Sequence, residues 1–189
     1  SADSLGIDVD ADSTVTSLSV GHITPVSIAT GKSLSGAVTV TAGSIKLDEA
    51  GTLASTIAMS GGTLDADESL AVSGALTQSG DIAIDVATGK TLTYSGAAIS
   101  LGANTLTLSG GGSLVSGGLT LNNASSKLLL NSITLGSAST SANSLGLDVD
   151  ADSTVTSLSV GHITPVSISS GSSLSGAITL TAGSLKLAE

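Results

Sequence analysis

The feature that most constrains this chain is a long internal return: residues 1–49 come back as residues 141–189, with 40 of 49 positions identical. Self-similarity on that scale marks an array in which one structural unit is stacked on the next. The differences between the copies sort by chemistry. Ile7/Leu147, Val38/Ile178, Val40/Leu180 and Ile45/Leu185 exchange one aliphatic group for another, whereas Asp3/Asn143, Lys32/Ser172 and Asp48/Ala188 gain or lose charge. The first set is expected to face inward and the second outward. Residues 1–140 then make one complete unit, and residues 141–189 open the next, continuous with the first in a single elongated domain. A chain that begins at Ser1 with no visible signal peptide is expected to be processed, or cut from a longer array.

A shorter period runs inside the unit. Apolar-x-apolar pairs recur at Leu18/Val20, Val38/Val40, Ile57/Met59, Leu76/Gln78, Ile99/Leu101, Leu119/Leu121, Ile133/Leu135 and Leu158/Val160. The steps are 20, 19, 19, 23, 20, 14 and 25 residues, which makes seven rungs of mean length 20 in each 140-residue repeat. Most rungs carry a second pair, such as Val26/Ile28, Ile45/Leu47, Ile82/Ile84 and Leu106/Leu108. A third apolar position follows a corner glycine, as in Gly31-Lys32-Ser33-Leu34 and Gly89-Lys90-Thr91-Leu92. Alternation with a period of two is a strand signal, and no segment sustains a helical period.

Three short strands per rung of about 20 residues predict an all-β fold. A rung that short cannot bury its own inner face, so it must stack on its neighbours as a right-handed parallel β-helix, a β-solenoid of roughly triangular section. With strands about 4.8 Å apart, seven rungs rise about 34 Å. The 14- and 25-residue steps, and Gln78 at an inward position, are the irregular points of this framing.

The composition agrees with a narrow, regular core. The chain has 24 glycines, no Cys, Trp or Phe, and a single Tyr, Tyr94. Aromatic side chains, which bury roughly 150–250 Å² each, are the usual filling of wider cores. A net charge of −10, carried by 15 acids against 5 lysines, repels nucleic acid and anionic lipid. No apolar run reaches the roughly 18 residues of a membrane-spanning helix, and one Tyr cannot supply the aromatic girdles of a membrane barrel. The absence of Cys fits an exported chain that avoids stray disulfides.

The rung pattern in Thr88-Gly89-Lys90-Thr91-Leu92-Thr93-Tyr94-Ser95-Gly96, and again from Gly112 to Leu121, resembles the passenger regions of bacterial autotransporters and filamentous-haemagglutinin-like adhesins. The likeness runs the length of the chain. It implies a secreted, elongated β-helix at the cell surface and names no ligand.

The local motifs are few. Asp8-Val9-Asp10-Ala11-Asp12-Ser13 opens like an EF-hand loop, but Ser13 stands where that loop needs glycine and Ser19 where it needs glutamate. Stacking suggests another reading, in which Asp10, Asp12, Asp48 and Asp67, with Glu49, Glu68 and Asp85, gather along one corner of successive rungs. A hard cation such as calcium would relieve their repulsion, and solubility alone would also explain them. No other cofactor is expected. His22 and His162 recur in Gly-His-Ile-Thr-Pro without a second ligand nearby and read as turn residues.

The outward column Thr39, Thr77, Ser100, Thr120 and Thr134 forms a strip of small side chains. Such a strip suits sideways docking of another solenoid, and less well a crystalline or polysaccharide surface. No unique constellation of acids, bases and sugar platforms is present, so the chain is not expected to be an enzyme. The expected role is a structural repeat segment of an extracellular filament, sheath or surface layer that self-associates end to end and laterally. The alternative is the stalk of a surface adhesin.

Overall fold

A computed structural model describes residues 6–182 and 184–187 of the chain, the last three of these by backbone only. Asp3, Ala188 and the side chain of Leu185, three members of the exchange pairs, lie outside the described residues. Within them the chain is entirely strand and turn, a parallel β-solenoid of about nine turns whose successive strands lie about 20 residues apart.

Each turn passes through three faces in the same order. The first face is a parallel sheet of ten strands, taken in chain order from Ile7–Val9 to Ser184–Leu187. The second and third faces together form a sheet of thirteen strands, because in several turns one long strand runs through the corner between them. Ser33–Val40 shows this: its first half pairs with Thr52–Leu53 on the second face and its second half with Thr56–Met59 on the third. The bend is made by a register shift after Val15, repeated after Val155, and by Gly36 and Gly176. Both glycines adopt a φ of 121°, and a Cβ there would lie 1.9 Å from the Val15 oxygen or 1.7 Å from the Val155 oxygen. Only glycine allows the backbone to come so close in that conformation.

Alternation then does the packing. Leu34, Val38 and Val40 are buried, as are Ile45 and Leu47, Ile57 and Met59, and Leu106 and Leu108, while the residues between them face out. Ile7 sits in the first strand of the ten-stranded sheet and Leu147 in the eighth, so the 140-residue unit makes seven turns. The exchanges Ile7/Leu147 and Val38/Ile178 fall on inward positions, and Lys32 is exposed, as their chemistry predicts.

The irregular points resolve. Leu135 pairs with Leu114 and Val155 on the second face, not with the third-face column. The third-face pair of that turn is Ala138 and Thr140, opposite Leu119 and Leu121. Reading Ile133/Leu135 as the pair produced the 14- and 25-residue steps; with Ala138 the steps return to about 20. Gln78, by contrast, is truly inward, opposite Met59. The two copies also pair differently at one step: Val26 lies opposite Leu47, whereas its equivalent Val166 lies opposite Leu185, the counterpart of Ile45. A slip of two residues keeps every side chain on its own face, so the hydrophobic pattern does not forbid it.

Candidate functional site

The three faces differ in chemistry. No strand of the thirteen-stranded sheet contains an acidic or basic residue. The strands of the first face carry Asp8, Lys46, Asp65, Asp85, Lys127, Asp148, Asp150 and Lys186, and the other charges of the described residues stand at corners. Two of the three faces are therefore neutral in a chain of net charge −10.

On the third face the outward column is Ser19, Thr39, Ala58 and Thr77, then Ser100, Thr120, Ser139, Ser159 and Thr179. Thr39, Thr77, Ser100 and Thr120 thus stand where the periodicity placed them. Thr134 does not: it lies on the second face opposite Ser113 and Thr154, and Ser139 takes its place. The misplacement follows from the misframed Ile133/Leu135 pair. The second face presents a similar neutral surface, with hydroxyl bonds across turns between Thr14 and Ser35 (2.8 Å) and, in the other copy, between Thr154 and Ser175 (2.9 Å).

The acidic residues do not share one site. The Asp12 carboxylate accepts hydrogen bonds from the backbone N–H (2.9 Å) and hydroxyl (3.1 Å) of Ser33 one turn on, and Asp152 receives the same pair from Ser173. Asp48 accepts the Ser27 hydroxyl at 2.6 Å, and Asp67 is paired with Lys46 at 2.6 Å. Asp10 is exposed, and Asp85 lies on the first face rather than at the corner, where it accepts the Ser109 hydroxyl. Among the described residues no three His, Cys, Asp or Glu side chains converge to hold a metal ion. The carboxylates of Asp12, Asp48 and Asp67 each link one turn to another.

Asp65 was not singled out by the sequence. It stacks between Lys46 and Asp85 on the first face. Burial, then the charges of Asp67 and Asp85, push its carboxyl above the ordinary 3.8, against the pull of Lys46. Lys46 gives its own bond to Asp67, and that bond raises the ammonium above its ordinary 10.5. The signal was Asp65 at an outward position of the alternating strand Thr63–Ala66, two residues before Asp67 at the corner.

The remaining features are structural or shallow. His162 takes a left-handed φ of 60° at its corner. A groove of about 500 Å³ between the first and second faces is lined by Gly31, Gly51, Thr52, Ser69, Thr91 and Thr93. Glu68 and Lys90, the sequence neighbours of the lining residues Ser69 and Thr91, form an ion pair at 2.6 Å. Tyr94, the chain's one aromatic residue, is buried, so no aromatic ring is offered outward to a sugar. Comparison with family models, with curated proteins and with solved structures finds no match for this chain.

Proposed function

We propose that the chain is a structural repeat segment of an extracellular filament, sheath or surface layer, which assembles by end-to-end and lateral packing of its solenoid. The observation that carries this reading is the neutrality of the thirteen-stranded sheet. Like-charged chains repel, and the second and third faces are where two copies approach without setting acid against acid. Small hydroxyl and methyl side chains recur there about every 4.8 Å wherever the ladders are continuous, so most turns offer a similar contact. The near-identical return of residues 1–49 as residues 141–189 presents that surface again, which an array needs and a single binding site does not.

Electron microscopy of the full-length protein tests the proposal. Unbranched filaments with an axial repeat near 34 Å, the rise of seven turns at about 4.8 Å each, are expected. Isolated rods ending in a distinct head would instead assign the chain to an adhesin stalk.

A further inference from the structure

The third face is not continuous. Leu76–Gln78 pairs with Thr56–Met59 on one side, and Ile99–Ser100 pairs with Leu119–Leu121 on the other, but no ladder joins the first pair to the second. The first and second faces pair straight through the same turns. Turn length changes at the same place. Gly36 and Thr56, bonded across turns before the seam, are 20 positions apart, whereas Ser69 and Thr91 are 22 apart and Asp85 and Ser109 are 24 apart. Two to four extra residues add roughly 7–13 Å of extended chain to the perimeter. The first and second faces absorb these residues with their ladders intact, and the third face is where pairing lapses.

The side chains at the gap match this reading. Tyr94 fills the wider interior, 4% exposed, and its hydroxyl accepts the backbone N–H of Leu76 at 2.9 Å. That bond goes to a donor on the strand that lacks its ladder. Gly96 must stay bare for it, since a Cβ there would lie 2.4 Å from the Tyr94 hydroxyl oxygen and 2.7 Å from the Gly74 oxygen. Gln78 points inward beside the gap, with both amide atoms buried and no protein partner for either. A buried amide left unpaired destabilises the closed state, and opening the gap returns it to water.

We propose that the seam between Leu76–Gln78 and Ile99–Ser100 is an opening joint built into the coil. It separates on the third face while the ladders of the first and second faces hold, and the Tyr94 hydroxyl is its latch. The joint does not depend on whether the chain forms filaments.

Amide hydrogen exchange on the 189-residue chain tests it, with urea titrations followed by tyrosine fluorescence and by far-ultraviolet circular dichroism. Tyr94 is the sole fluorophore, so its emission reports the seam alone. The amides of residues 76–78 should exchange at least about tenfold faster than those of residues 38–40, the factor expected for roughly one missing hydrogen bond. The fluorescence change should precede the loss of β signal. Tyr94→Phe should speed exchange at Leu76 by about the same factor with the β signal intact. Gln78→Met, which continues the Met59 column, should slow exchange and bring the two transitions together. Coincident transitions, uniform exchange on the third face, or indifference to both substitutions would overturn the proposal.

Discussion

At the scale of single residues, stability in this coil depends less on side-chain size than on which positions leave room for a neighbouring turn. Gly36 and Gly31 show the difference. Gly36→Ala would force a Cβ against the Val15 oxygen at a φ of 121°, so it should cost roughly 3–5 kcal/mol. Gly31 has a φ of 75° and open space around it, so Gly31→Ala should cost only the left-handed strain of about 1–2 kcal/mol. Thermal melts of the two variants side by side check the ordering. Asp65 makes a prediction of opposite sign. Its carboxyl is raised in the folded state, so the fold holds that proton more tightly than the unfolded chain does. Its contribution is most favourable below the ordinary 3.8 and is lost as pH rises from there through the raised folded value. Asp65→Asn should therefore raise the melting temperature at pH 7, and the gain should vanish in melts below about pH 4.

At the scale of strands, alternation decides facing and the links between turns decide order. Leu34→Asp should bury an unpaired carboxylate where Leu34 is 1% exposed, costing several kcal/mol, about 3 or more. Lys32→Ser should be nearly silent, because Lys32 is exposed and its counterpart is already Ser172. Asp12→Ala removes the acceptor for the Ser33 backbone N–H and should cost about 1 kcal/mol in urea denaturation. The seven-turn solenoid and the facing of most core residues were legible in the sequence, since both follow from a period of two and from the return of residues 1–49. What was not legible depended on turn length. Ile133/Leu135 fits an apolar-x-apolar pattern as well as Leu119/Leu121 does, and only the ladder to Leu114 assigns it to the second face. Thr134 was placed on the strip by the same error. The partners of the acids were not legible either, because a one-dimensional pattern cannot show that Asp12 turns to Ser33, Asp48 to Ser27 and Asp67 to Lys46.

At the scale of the whole molecule, the ends and the faces predict two modes of assembly that respond differently to salt. Among the described residues the strands Ile7–Val9 and Ser184–Leu187 each have a single neighbour in the ten-stranded sheet, which leaves one side of each for a neighbouring coil. The inward residues there are also less covered: Leu180 is 41% exposed, whereas Val40, its counterpart deeper in the coil, is 0% exposed. Val15 and Leu18 are likewise only partly buried at the start, while Val155 and Leu158 are 1% and 2% exposed. Stacking the start of one chain on the end of another satisfies the backbone and covers this apolar surface. The contact is head-to-tail and does not close on itself, so it propagates. The 189-residue chain should polymerise end to end at moderate concentration, with modest dependence on salt. Lateral pairing brings whole chains of charge −10 alongside one another and should be weak at low salt. Shortening the Debye length from about 10 Å at 0.1 M to about 3 Å at 1 M should thicken single filaments into bundles. Thr39→Glu combined with Thr120→Glu places acids on the neutral strip at exposed and half-exposed positions, so the fold and the filament length should survive while bundling stops. Sedimentation and electron microscopy across a salt series check both modes. A stable monomer at high concentration in every salt would remove the assembly on which the proposed function rests.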